Sequence, residues 1–554
     1  MKKIFVSILG LGLLLTGNGC RKILDETPVS QVGIQYYNNV AGFEGGVNSS
    51  YASLRDYYGT EIGTNLTVFG TDTYTQGADG SYKFMNQYVA GFGTNVDILT
   101  TLWNALYSGI NTMNVLIDLA EGGKVTGLTD AVKAQRIAEL KFLRAHHYFI
   151  LTQNWGGVAL SLKGITAPKK DFTRATVAQM YAAIIADMEA ALPNLPTSVP
   201  DTEYGRATKG ACEHMLAKIY LTKATSEAKA ADDYSKAAAY ASNVISKYTY
   251  KLQADYALVH DQSNQKNSEV VFACQYSTDV LTNGAGNRTH LFFGMEYDVQ
   301  AGMQRDIANG RPWKRYRPTD YMLSVVFNPA DRSKDSRYKK SFKDTWYSNK
   351  PGTYSTGLFD NTKASVTYAA GDTTIYIPGV EWTSAQRAAK KYQVLVPSLY
   401  KANLFPVLNK FLDPLRPEVQ TEGGNRDWFV ARLAETYLIL AEANIKLGKA
   451  QDAADAINMV RRRAAWAGKE KDMEITATQA TMDFLMEERE RELAGEMTRW
   501  YDLKRWGILV ERVKKYNPDG AAGIQDFYNL RPIPQTQIDR TTGGASAFPQ
   551  NTGY

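Results

Sequence analysis

Apolar residues recur along this chain at spacings of three and four over long stretches, the periodicity of helices that bury one face. The pattern predicts paired helices over residues 102–119 and 131–152, 177–192 and 207–222, and 428–447 and 450–464, with a single helix over 234–248. Small residues such as Ala434, Ala441 and Ala443 face bulkier Tyr437 and Leu440 in the late pair, the small-against-large logic of tetratricopeptide-like helix pairs. No strict 34-residue repeat is visible. The expected fold is therefore mainly α: a degenerate helix-pair scaffold with long irregular loop insertions and a few short strands.

The most strongly patterned stretch is 484–507. Met482, Met486, Leu493, Met497 and Trp500 fall on one stripe, which predicts a single long helix ending at Gly507. Its other positions are mostly charged. Glu487 and Arg491, Glu488 and Arg491, Glu496 and Arg499, and Asp502 and Arg505 are spaced to pair along an exposed face. The arginine run Arg461–Arg463 reads as a solvated helix end that suits the helix dipole.

Two polar insertions rich in Gly, Asn, Thr and Tyr interrupt the helices, at about 57–93 and 277–424. Strands are expected at VVFACQY and TTIYIP, and the remainder reads as long ordered loops of the kind that carry function.

At the start, Lys2 and Lys3 precede a short apolar run and then TGNGC, residues 16–20. This predicts a lipoprotein signal peptide over 1–19, acylation of Cys20 and a lipidated tether over 20–35, so that the N-terminal lipid is the only membrane contact. No later stretch has the ~20 uncharged apolar residues of a membrane span. A net charge of +6 over 554 residues gives no case for nucleic acid. Cys212 and Cys274 are expected as buried free thiols, a disulfide between them being the alternative.

Catalytic signatures are missing: the chain has no HExxH, GxSxG, P-loop or EF-hand pattern, and hence no predicted catalytic residue, metal or cofactor. Adjacent His146 and His147 diverge by about 100° on a helix and read as a core or rim pair. The acids of 487–496 are poor general acids because each has a basic neighbour to hold it ionised.

Several stretches together resemble one family. ERERELAGEMTRWYDLKRWG (488–507), LKFLRAHHYFILTQNWGGVAL (140–160), GRATKGACEHMLAKIYL (205–221), the 432–465 helix pair and the ending RPIPQTQID with QNTGY resemble the SusD/RagB family of Bacteroidetes-type surface lipoproteins. The resemblance implies an N-terminal SusD-like helical region over 36–267 and a C-terminal RagB/SusD region over 268–554. It also implies a non-enzymatic glycan-binding lipoprotein on the outer face of the outer membrane, serving nutrient uptake as the lid of a SusC-like TonB-dependent transporter. The transporter would meet a flat helical side such as 432–465. RagB-like peptide or other nutrient binding in the same complex is the alternative, with a surface hydrolase behind it.

Glycan sites need flat aromatic platforms beside amides, carboxylates and guanidiniums. DTYTQGADGSY (72–82) and MEYDVQAGMQRDIANGRPWKRYRP (295–318) have that mixture and resemble in place the family's ligand loops. The candidate ligand-binding residues are Asp72, Tyr74, Tyr82, Tyr297, Asn309, Arg311, Trp313 and Tyr316. Arg311, Lys314, Arg315 and Arg317 add a basic cluster suited to an acidic glycan or a peptide carboxylate.

Overall fold

The structure is a computed structural model that describes residues 33–554; the signal peptide, Cys20 and most of the tether lie outside the described residues. The predicted helices form as α2 Asp97–Glu121, α3 Asp130–Trp155, α4 Val177–Ala191, α5 Lys209–Lys223, α6 Asp233–Lys247, α7 Leu433–Lys446 and α8 Ala450–Ala464, behind a shorter α1, Val40–Ala52. Their starts follow side-chain chemistry. Thr129 and Thr208 cap the first turns of α3 and α5, and Thr176 with Gln179 closes a capping box on α4.

From α2 to α8 each helix packs on the next, including α6 on α7, which are far apart in sequence. Ala434, Ala441 and Ala443 are fully buried at these crossings, which lets the helices approach closely. No helix among the described residues is long and apolar enough to cross a membrane.

The late pair begins differently from its periodicity. Residues 428–432 are not the first turns of a helix but a strand, Trp428–Arg432, paired antiparallel with Val270–Cys274. Leu433 then donates its backbone N–H to the Glu269 carbonyl as α7 starts. Aromatic and β-branched residues in WFVAR fit a sheet better than a helix end.

The insertions also differ from loops. The first is largely core: Gly63–Thr75 is buried throughout and includes the helix Glu61–Thr67. The second carries a three-stranded sheet, Thr345–Tyr347, Thr373–Tyr376 and Gln393–Val394. It has a hydrophobic cluster of its own around Met295, Trp346, Ile375 and Phe405. Cys212 and Cys274 are buried free thiols.

The expected long helix over 484–507 is two helices, α9 Met482–Leu493 and α10 Arg499–Arg505. The chain turns between them through Gly495 (φ 76°) and Met497 (φ 60°). A Cβ on Gly495 would lie 2.6 Å from Leu408. The apolar stripe is only part of the buried surface here: Leu493, Met497 and Trp500 are buried, Met482 and Met486 are half-buried, and the charged run Glu488–Glu492 is buried as well. Glu488 receives Arg337 at 2.8 Å, Arg461 at 2.7 Å and Arg491 at 3.0 Å. Glu492 receives Arg432 at 2.6 Å and also pairs with Arg463.

Arg461 and Arg463 are thus buried cross-links, not a solvated helix end, and only Arg462 lies outside, on Glu474 at 2.6 Å. Of the four spaced pairs, Glu496–Arg499 does not form. The chain turn sends Glu496 to Arg432 and Lys410, at 2.7 and 2.9 Å, and Arg499 elsewhere. Buried charges in such a network hold the helices in one arrangement, because removing any partner strands a charge away from water.

Candidate functional site

The two stretches expected to hold ligand meet as a ladder. Tyr74–Gln76 pairs antiparallel with Tyr316–Pro318, Tyr74 opposite Pro318 and Gln76 opposite Tyr316. Past its end Gly77 N–H donates to the Arg315 carbonyl at 2.9 Å. The strands run so close there that a Cβ on Gly77 would sit 2.1 Å from the Lys314 carbonyl oxygen. Lys314 itself is left-handed (φ 48°), a conformation that costs a side-chain-bearing residue about 1–3 kcal/mol. Backbone bonds from Trp313 to Leu291 and from Arg315 to Phe292 lock the strained turn in place.

This turn holds Trp313 half-buried, one side against Phe292. The Arg315 and Arg311 guanidiniums lie over its ring at 4.9 and 5.9 Å from the centroid. A Cβ on Gly80 would lie 3.1 Å from Arg315 Cδ, so the Asp79–Tyr82 segment runs over that arginine. Tyr82 continues the surface, edge-on to Phe84 and donating to Asp97 at 3.2 Å. Burial, then the Asp97 carboxylate, pushes its phenol up to about 12, so it stays a donor at neutral pH. The result is an aromatic shelf ringed by hydrogen-bonding groups.

Each cation of the shelf has an acid. Arg315 pairs with Glu61 at 3.0 Å, Arg311 with Glu422 at 2.9 Å, and Lys314 with Glu296 and Asp79 at 2.9 and 3.2 Å. The basic cluster in the sequence is therefore neutralised in the fold. Glu61 and Asp79 are shelf groups that the sequence candidates omit, and Arg315 entered only through the basic cluster; the Gly77 and Gly80 pair beside Asp79 was the only local sign of so tight an approach.

The eight candidates divide. Tyr82, Arg311 and Trp313 lie together at the surface. Four others are buried and hold the loops instead of facing solvent. Asp72 is gripped by Arg499 at 2.8 and 2.6 Å and by Arg512 at 3.0 Å; burial opposes ionisation, but the two arginines outweigh it and hold the carboxyl below its usual range. Tyr74 is core, Tyr297 donates to the Gly310 carbonyl at 2.6 Å, and Tyr316 donates to Asn65 at 2.9 Å. Asn309 is half-buried, its amide donating to Asp306 at 2.9 Å and accepting from Lys343, and it lines a small cavity with Tyr297 and Arg311. Polar residues in aromatic loops look alike whether they face a ligand or pin the loop, so spacing did not separate them.

One acid departs from its expected state. Glu490 has burial as its main influence and Asp72 nearby, and the two push its carboxyl up to about 7 against the pull of Arg499. It is 2% exposed and reaches no surface. His146 and His147 are buried, bonded to Tyr58 and Ser53 at 3.0 and 2.8 Å.

Comparison with known proteins agrees with the scaffold. Residues 268–554 match the SusD family model, and residues 22–221 match the model described as "Starch-binding associating with outer membrane". The chain is 24% identical to SusD-like protein P25 of Formosa agariphila over 98% of both chains. It is 26% identical to the starch-binding protein SusD of Bacteroides thetaiotaomicron over 80% of this chain and 76% of that one. A laminarin-binding SusD-like protein superposes with a TM-score of 0.69 at 21% identity, over 93% of this chain and all of the other. With its C-terminal half matched by the family model and its helix ribbon shared with a solved relative, this chain belongs to the SusD family.

Proposed function

We propose that this protein is a non-enzymatic, lipid-anchored surface protein that binds a neutral oligosaccharide on the shelf of Tyr82, Trp313, Arg311 and Arg315. It would pass the sugar to a SusC-like TonB-dependent transporter. The observation that carries the reading is the pairing of Tyr74–Gln76 with Tyr316–Pro318, which brings two distant aromatic loops onto one rigid surface. A sugar ring meeting Trp313 would share the indole with the two guanidiniums over it, which offer donors, and would find carboxylate acceptors just beyond. Relatives named for starch and laminarin binding support the ligand class.

Neutral glycan is favoured over peptide or acidic sugar because Arg311, Lys314 and Arg315 already have carboxylate partners. An anionic ligand would have to displace them. Acylation of Cys20 would tether the protein to the outer membrane, facing the exterior.

Affinity gels and calorimetry with amylose and laminarin test the proposal. Trp313→Ala is expected to weaken binding by about 1–3 kcal/mol, the scale of ring stacking on an aromatic, with no reducing ends released. Binding that ignores Trp313→Ala would overturn the site, and turnover would overturn the non-enzymatic role. Failure to recover a transporter with the tagged protein from its own membrane would overturn the delivery step.

A further inference from the structure

A second concave surface lies at the end of the Val270–Cys274 and Trp428–Arg432 ladder, where Cys274 faces Trp428. Its walls are the residues that lead out of that ladder, Gln275–Thr278 and Asn425–Asp427, and the turn Gln262–Lys266. The cleft has a volume of about 550 Å³ and opens to solvent. That falls within the ~300–1,000 Å³ of small-molecule sites. None of its lining residues belongs to the shelf.

Its base is fixed. Tyr276 N–H donates to Asp427 Oδ1 at 2.8 Å, which carries the cross-strand pairing past the last ladder residues. Asp261 caps the opposite turn by accepting from Ser263 at 2.8 Å.

One group in this wall is unfinished. Gln262 is 6% exposed and donates Nε2 to Asn425 at 3.0 Å, yet its buried Oε1 has no hydrogen-bond partner among the described residues. A buried acceptor left without a donor is costly, so most such atoms in folded proteins find one. Asp427 also lines the cleft and forms no ion pair among the described residues, while burial raises its carboxyl to about 6.

We propose that this amide-lined cleft is a second carbohydrate site, which takes a short neutral oligosaccharide through Gln262, Asn264, Gln265, Asn425 and Asp427. Planar amides offer a donor and an acceptor side by side, which suits neighbouring sugar hydroxyls. A divalent cation fits poorly, since Asp427 is the only carboxylate in the lining and Lys266 adds a positive charge. An anion fits poorly for the opposite reason, with Lys266 as the sole cation.

An aromatic surface adjoins the amides. Lys266 lies over the Tyr204 ring at 5.3 Å, and the Tyr204 hydroxyl donates to the Gln265 carbonyl at 3.1 Å. Beyond Gln275, which borders both, a depression of about 370 Å³ is lined by Tyr51, Tyr204 and Arg206. A longer chain would extend along it.

The test isolates the cleft by using full-length protein with Tyr82→Ala and Trp313→Ala together, which removes the shelf, so the outcome does not depend on whether the shelf binds anything. Saturation-transfer NMR is recorded with maltohexaose, laminarihexaose and cellohexaose. The expected result is transfer to at least one of them, with its affinity lowered about tenfold by a further Asn264→Trp, which fills the cleft from a half-exposed wall. Gln275→Ala, on the exposed rim, gives a milder loss and serves where the tryptophan variant does not fold. Absence of transfer to all three sugars, or transfer that both cleft variants leave unchanged, would overturn the proposal.

Discussion

Asp72 and Arg499 form a two-pronged ion pair, 2.8 and 2.6 Å, that ties the loop before Tyr74 to the start of α10 across 427 positions of sequence. Both side chains are buried. Arg512 adds a contact at 3.0 Å, and Arg499 also donates to the Met486 carbonyl at 2.9 Å. Through this pair the charged C-terminal signature supports the strand from which the aromatic shelf is built.

Removing one partner leaves the other charge buried. Arg499→Ala is expected to destabilise the fold by about 3–5 kcal/mol, the usual result of breaking a buried pair from one side. Asp72→Asn, which keeps shape but strands two guanidiniums, should fall in the same range. Urea unfolding followed by tryptophan fluorescence measures both; a loss below about 1 kcal/mol in each would show that the pair carries no structural weight.

Gly77→Ala tests the shelf without touching any of its side chains. The added methyl meets the Lys314 carbonyl at 2.1 Å, and backbone on both sides leaves no rotamer to relieve it. The strands must separate, at a cost of about 1–3 kcal/mol, and Trp313 loses the turn that presents it. Glycan affinity should fall even though every candidate contact residue is present. A variant with wild-type affinity and stability would mean that the close approach is unimportant.

The helix ribbon was legible in the sequence because helix periodicity survives wherever one face meets a core and the other meets water. The same rule misled at 484–507. Glu488, Glu490 and Glu492 alternate with Arg489 and Arg491, which looks like an exposed charged face, yet this face is buried against Arg337, Arg432, Arg461 and Arg463. Their partners come from three separate segments, so no local spacing records them. The shelf was legible in part for a related reason. Tyr82, Arg311 and Trp313 stood out by residue type, but the pairing that assembles them links strands far apart, and Glu61 joins from a part of the first insertion that carried no candidate residue.

The thiols offer a check on packing. Cys212 and Cys274 are 0% and 1% exposed, and burial, the main influence on each, raises both well above the usual thiol range. Neither should react with a disulfide reagent at pH 8 while the protein is folded, and both should react after unfolding in urea. Rapid modification of either in the native state would contradict the helix packing around α5 or the ladder beside Trp428.

Glu490 gives the stability a pH dependence of definite sign. Its carboxyl sits at about 7 in the folded protein against the ordinary 4.5 of a glutamate, with burial the main cause. Between those values the folded state keeps a proton that the unfolded chain has released. Its contribution is therefore complete below pH 4.5, declines as pH rises through 7, and is absent above. The shift corresponds to about 3 kcal/mol. Buried His147 and His260 act the other way, since burial lowers each to about 4 and their contribution grows as pH rises toward 6.5. The raw pH profile mixes the two effects, and Glu490→Gln separates them. Glutamine mimics the protonated acid, so the variant should match wild type near pH 4.5 and exceed it by about 2–3 kcal/mol at pH 8. Equal urea midpoints at pH 8 would show that the Glu490 carboxyl is not raised in the folded protein, with Arg499, 3.8 Å away, outweighing both burial and Asp72.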